Sequence, residues 1–438
     1  MDAIRFILTP GLFPQELDYH LVTDREFVPE TLHFLRAFAP RTRFLGSASP
    51  WAGRGAGEGA LVVSSRSWEP VVTRLLQQGI EPQRIVVLLN PDDYCWGWLA
   101  LGRACLSHLR ELADPSVPLP RKTKWLRDYL RQVGLVSFEG SRPSWFPNCY
   151  FNVFRDKVRA NLATVDDMTR RLADRESRDT LRLLLYGSPE DYLRHFLDHA
   201  FFTQQYTDLI QLEPGDNIVN AGIASGWDIP LFQALTRNRG RHVLVEPAET
   251  PERFRQPPFE TAPYALWDRE ETVAFRFLEA GMVGYGTGDA AGGGDGPRVR
   301  CRPLDHIVDE LALERVALIK ADIEGAEPRA LEGMKATLRT RRPQIALAIY
   351  HEPEHMWELP LTLMNLLPDY SFFIRHYGLC RFECLLYAIP NERMPASRTQ
   401  AGRPGIRPAW PTNPPHRAAA PGIPVNRASL PGSSVAAC

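Results

Sequence analysis

From residue 216 onward, short apolar runs alternate with helical stretches, and this alternation restricts the fold more than any other feature of the chain. Segments 217–220, 242–245, 317–320 and 344–350 read as strands of four to seven residues. Between the last two, Ala330, Leu331, Met334 and Leu338 recur on one side of a helix predicted over 326–338. Pro328 stands in its first turn, where a missing N–H costs little. Strands alternating with helices imply a parallel sheet covered on both faces. The expected fold class is therefore α/β.

The rest of the chain divides by texture. Residues 1–120 repeat the alternation on a smaller scale, with strands expected at 42–45, 60–63 and 84–89 and a helix at 68–78, and read as a small α/β domain. Residues 121–210 read as a helical connector. Phe154, Val158, Leu162, Val165, Met168 and Leu172 there form the stripe of an amphipathic helix, and Ser188-Pro189-Glu190-Asp191 has the form of a helix start. Residues 211–390 hold the main sheet. Residues 391–438 are rich in Pro, Ala, Arg and Gly without apolar period, the composition of a disordered tail.

Composition excludes several classes. A net charge of −1 removes the electrostatic case for a nucleic-acid partner. No apolar run reaches the roughly 20 residues of a membrane span, and the N-terminus lacks a secretory signal. The seven cysteines are scattered without a CxxC pair, which suits reduced thiols and a cytoplasmic location. Residues 281–296 hold eight glycines but no GK[ST], so they read as a loop and not a P-loop. Nothing in the sequence demands a metal or specifies an oligomeric state.

Four constellations fall at expected strand ends, on the edge where open α/β sheets bind ligands. In Asn220-Ala-Gly-Ile-Ala-Ser-Gly226 a strand runs into a glycine turn, with a helix expected from about Asp228. Gly222 and Gly226 would let a ligand approach the backbone, although a purely structural turn fits as well. Glu246 ends the next strand, where a carboxylate can accept both hydroxyls of a ribose; a solvated loop acid is the plainer reading. Asp322 closes the third, in Ile319-Lys-Ala-Asp-Ile-Glu-Gly-Ala-Glu327, followed by Glu324 and Glu327, which suit either helix capping or function. His351 ends the fourth and is a candidate general base. Arg375-His376-Tyr377 ends a later strand. Glycine turn and ribose acid together favour a nucleoside cofactor, either nicotinamide or S-adenosylmethionine.

These stretches, in this order, resemble the FkbM family of S-adenosylmethionine-dependent methyltransferases. The resemblance is clearest from Leu304-Asp305 through the Asp322 motif, Arg342-Pro343, Ile349-Tyr350-His351, Glu354 and Trp357-Glu358-Leu359-Pro360 to Arg375-His376-Tyr377 and Tyr387-Ala388-Ile389-Pro390. Gln205-Tyr206, Glu246-Pro247 and Ala265-Leu266-Trp267-Asp268 extend it upstream, so that it covers about residues 200–390. The resemblance implies a Rossmann-like class I methyltransferase sheet with flanking helices. It implies that Asn220, Gly222, Gly226, Glu246, Ala265 and Leu266 line S-adenosylmethionine, and that Asp322 and His351 are catalytic. The family's first motif usually opens on aspartate, and Asn220 brings no charge there. The acceptor implied is a hydroxyl of a sugar, a polysaccharide precursor or another natural product. The alternative is a methyltransferase-fold binding or scaffold protein. The N-terminal region resembles the small α/β domain that precedes some bacterial members, for which docking is the plainer role.

Overall fold

The computed structural model describes most of residues 2–89, 157–186, 203–277 and 298–394, with short interruptions and a few isolated positions between them. Expectations that fall on the helix start at 188–191, on most of the glycine-rich 281–296 segment and on 395–438 lie outside the described residues.

The N-terminal strands are β1 (Arg5–Ile7), β2 (Asp18–Thr23), β3 (Arg43–Ala48) and β4 (Ala60–Ser64), then helix α1 (Trp68–Gln77) and strand β5 (Ile85–Leu88). They form one parallel sheet in the order β1-β5-β4-β2-β3. The central strands β4 and β5 are almost wholly apolar and buried, as a sheet covered on both faces requires. β1 and β2 are strands that the sequence pattern does not single out.

Two helices follow, α2 (Leu162–Arg171) and α3 (Arg175–Tyr186). Val158, Val165, Met168 and Leu172 are buried as the stripe predicts, but Leu162 lies on the solvent side. α3 packs on the far edge of the main sheet through Arg375. That guanidinium is 2.6 Å from Asp174 and 3.2 Å from Glu176, and Ser177 accepts the Ile374 N–H.

The main sheet begins with β6 (Ile218–Ala221), helix α4 (Ile229–Leu235), β7 (His242–Val245) and β8 (Phe259–Ala262). A small three-stranded sheet comes next, from β9 (Ala265–Leu266), β10 (Glu271–Ala274) and β11 (Arg298–Arg302). The chain then runs through α5 (Leu304–Glu310), β12 (Leu318–Ala321), α6 (Glu327–Glu332), α7 (Lys335–Arg341), β13 (Gln344–Ala348), α8 (His355–Leu366), β14 (Tyr370–His376) and β15 (Cys384–Pro390). The seven main strands lie in the order β8-β7-β6-β12-β13-β15-β14. All neighbours are parallel except β15, which is antiparallel to both β13 and β14. This is the Rossmann-like class I methyltransferase sheet that the sequence resemblance implies. The strand order reverses between β7-β6 and β6-β12, which opens a crevice at the carboxyl ends of β6 and β12.

Two details differ from the sequence reading. The helix expected over 326–338 is two helices, broken at Gly333. A Cβ on Gly333 would lie 1.8 Å from the Trp267 carbonyl oxygen, so the chain bends where the backbones press together. The first residues assigned to the tail are also ordered: Asn391–Arg393 forms a 3-10 turn, and Arg342 pairs with Glu392 at 2.7 Å.

α4 joins the two sheets. Phe232 belongs to the main core, whereas Leu231 and Ala234 join Val63, Trp68, Val71, Val72 and Leu75 of the N-terminal sheet. Gln233 donates to Glu69 at 2.5 Å, and Arg237 donates to the Ile4 carbonyl at 3.1 Å while stacking over Phe6. The helix that leaves the glycine turn is therefore held from both sides.

Candidate active site

The glycine turn lies where β6 ends. Gly222 and Gly226 have φ of 74° and 73°, in the left-handed region that favours glycine. A Cβ on Gly222 would come within 1.6 Å of the Asp322 carbonyl oxygen, and one on Gly226 within 2.4 Å of the Phe254 ring. Close packing of the protein on itself thus already demands both glycines. Glu246, half-buried at the end of β7, accepts the Ile223 N–H at 3.2 Å and the Ala248 N–H at 3.0 Å. It is locked onto the turn and keeps free lone pairs on both oxygens.

Asn220 is fully buried. Its side-chain nitrogen donates to Asp228 at 3.0 Å, and Asp228 also lies 3.2 Å from the Lys320 ammonium. Lys320 donates to the Gly222 carbonyl at 2.5 Å and sits over the Tyr206 ring at 4.7 Å. The charge that Asn220 lacks is therefore present next to it, on Asp228. Among the described residues, Asn220 Oδ1 is a buried acceptor without a hydrogen bond.

Asp322 follows β12, one strand from the turn. Tyr206 donates a hydrogen bond to Asp322 Oδ2, and Tyr350 lies 3.1 Å from both of its oxygens. Burial first, and the Asp322 charge second, push both phenols well above their ordinary range, so both stay protonated donors. His351 follows β13. Its Nε2 is 3.3 Å from Asp322 and 3.4 Å from Glu324, and its Nδ1 is 2.9 Å from Glu327. Burial opposes a charge on His351, but Glu327, Asp322 and Glu324 outweigh it and raise the imidazole to about 9. Burial likewise works against the Glu327 carboxylate, and the facing His351 holds it below its usual range. Glu327 also accepts the Ile323 N–H at 3.0 Å, so it does cap the turn while serving the histidine. Burial raises Glu324, whose φ of 55° bends the chain back toward the crevice.

The structure thus gathers Asn220, Gly222, Glu246, Asp322 and His351 on one edge of the sheet. Ala265 and Leu266 lie in β9, buried against protein; Ala265 packs with Trp267 and Ala326. The Arg375-His376-Tyr377 cluster serves elsewhere: Arg375 binds α3, and the Tyr377 hydroxyl meets Tyr387 at 2.7 Å. Sequence reasoning missed Lys320, Asp228, Tyr206 and Tyr350 as site residues. Two signals were available: a lysine inside an apolar strand run, since a buried ammonium requires a paired carboxylate, and the place of Tyr206 and Tyr350 in the stretches that carry the resemblance.

Residues 221–374 match the family model described as the methyltransferase FkbM domain. The chain carries a methyltransferase domain of this type. Among solved structures it is similar to the methyltransferase FkbM from Methylobacillus flagellatus KT at 17% identity and TM-score 0.43, covering 84% of this chain and 89% of that one. Aeropyrum pernix fibrillarin, solved with bound S-adenosyl-L-methionine, is 16% identical with TM-score 0.27, covering 45% and 74%. A SAM-dependent methyltransferase from Aquifex aeolicus is 13% identical with TM-score 0.25, covering 51% and 96%. No curated protein matches the chain. Among the described residues, no helix is long and apolar enough to cross a membrane.

Proposed function

We propose that this protein transfers a methyl group from S-adenosylmethionine to a hydroxyl oxygen of a sugar, a polysaccharide precursor or another natural product. The observation that carries this reading is the Tyr206–Asp322–Tyr350 arrangement beside the glycine turn of a methyltransferase domain. The cofactor supplies, when bound, a methyl already activated on a positively charged sulfonium.

The residues fit such a molecule. Glu246 is fixed at the turn with lone pairs to spare for a ribose, and Asn220 Oδ1 is a buried acceptor in want of a donor. Asp322, Glu324 and Glu246 give the crevice the negative character that suits a cation. Gly222 and Gly226 complete the wall. Asp322 receives the acceptor's hydroxyl proton, and the two tyrosines hold its carboxylate in place. His351, charged near neutral pH, faces Asp322, Glu324 and Glu327 and is less suited to accept a proton. Alignment of the two reactants can supply up to about 7–11 kcal/mol. Proton transfer to a placed base adds about 10²–10⁴-fold. The N-terminal sheet acts as a docking body that steadies α4. Seven dispersed cysteines support a reducing, cytoplasmic setting.

The test is transfer of labelled methyl from S-adenosylmethionine to a panel of hydroxylated sugars and natural products, with the new bond located by mass spectrometry. An O-methyl product supports the reading; label found only on nitrogen or carbon would overturn the acceptor class.

A further inference from the structure

We propose that Asp322, Glu327 and His351 form a binding site for a divalent metal ion of the manganese or magnesium class. One donor atom from each residue lies within 4.8 Å of the other two. Metal–oxygen and metal–nitrogen distances of roughly 2.0–2.6 Å place a cation inside such a triangle.

A second observation is independent of that spacing. The His351 side chain is 9% exposed and that of Glu327 0%. Yet among the described residues, both ring nitrogens of His351 and Oε2 of Glu327 have no hydrogen-bond partner. The nitrogens lie at ionic distance from three carboxylates, 2.9 Å from Glu327, 3.3 Å from Asp322 and 3.4 Å from Glu324. Roughly nine in ten buried polar groups find a hydrogen bond. A cation held by the carboxylates can meet Glu327 Oε2 and one His351 nitrogen at once, while the other nitrogen faces the remaining carboxylates.

The donor set defines its class. Two carboxylates and one imidazole, which releases a ring proton to solvent as the ion binds, suit a hard or borderline divalent ion when no thiolate is present. Three protein ligands leave coordination positions for water or for an incoming oxygen. His355, 3.7 Å from Glu327 Oε2, stands behind the ligand shell, where such neighbours orient a ligating group. Asp322 and His351 end the adjacent strands β12 and β13, in register at Ala321 and Leu347. The site therefore opens on the same crevice as the glycine turn. Its position also narrows the acceptor, in a clause that rests on the methyltransferase reading: the favoured substrate offers a second oxygen beside the methylated hydroxyl, so that both reach the ion.

Titration of the full chain, stripped by a chelator, with MnCl₂ and detection of free Mn²⁺ by electron paramagnetic resonance tests the proposal. Loss of the free-ion signal at one equivalent is expected. Glu327→Gln and Asp322→Asn should each weaken binding about tenfold or more, and Glu246→Gln should leave it unchanged. Circular dichroism melts identify a variant that fails to fold, in which case the other variant and the wild-type titration decide. No binding at millimolar Mn²⁺, or wild-type affinity in both folded variants, would overturn the site. A parallel titration with S-adenosylmethionine keeps the two readings apart. Metal binding without cofactor binding would sink the proposed function alone, and the converse would sink the metal site alone.

Discussion

The two edges of the seven-stranded sheet carry opposite chemistry. At the amino ends of the strands, Gln344 and Asn217 are neutral and bonded to backbone. Gln344 donates to the Gln211 carbonyl at 2.6 Å and accepts its N–H at 2.9 Å. Asn217 accepts the Arg241 N–H at 2.9 Å and donates to the Arg315 carbonyl at 3.1 Å. His242, first in β7, is buried against Thr236, and burial lowers it to about 4. At the carboxyl ends, Glu246, Asp322, Glu324, Glu327 and His351 crowd together, and His351 moves the other way, to about 9. Both histidines are buried in one domain. Their opposite shifts follow from neighbouring charge: burial acts on both, and the carboxylates of Glu327, Asp322 and Glu324 outweigh it at His351.

That contrast is open to attack at each edge. The largest effect belongs to the charged edge: Asp322→Asn should lower methyl transfer by about 10²–10⁴-fold on any acceptor that proves active. A melting temperature close to wild type should accompany the loss, and an unchanged rate would remove Asp322 from the mechanism. At the neutral edge, His242 makes stability depend on pH. Its folded pKa lies below the unfolded value of 6.5, so its contribution is complete above 6.5 and is lost as pH falls toward 4. With about 1.4 kcal/mol per unit, the loss reaches up to about 3 kcal/mol. Urea unfolding at several pH values checks this, and His242→Gln should flatten that part of the profile.

Smaller effects should divide in the same way. Glu246→Gln, whose amide oxygen can still accept the Ile223 N–H, should weaken S-adenosylmethionine binding by about 1.5–3 kcal/mol with little change in stability. Gln344→Ala should do the reverse, costing about 1–3 kcal/mol of stability by stranding the Gln211 backbone groups, with cofactor affinity unchanged. Calorimetric titration and chemical denaturation of both variants would expose any crossover, which would contradict the division of labour.

Much of this architecture is legible in the sequence because its signals are local. Strands 242–245 and 60–63 announce themselves as apolar runs, and the glycine turn marks the end of β6. The partners of Asp322 are not local. Tyr206 stands 116 residues before it, and only the sheet order brings the two together. The charge beside Asn220 is hidden from the sequence for a similar reason. An amide in place of an acid reads as lost charge until Asp228, eight residues on, is seen to turn back beside it. The break at Gly333 escaped because helical periodicity in α6 and α7 continues across it, and only the Trp267 backbone pressed against that glycine reveals the bend.

The most direct test of the account is calorimetric titration of the full chain with S-adenosylmethionine. The account predicts saturable binding at one site per chain, weakened in Glu246→Gln. Absence of heat at millimolar cofactor, with the protein shown to be folded, would contradict it and leave the methyltransferase fold serving as a binding or scaffold module.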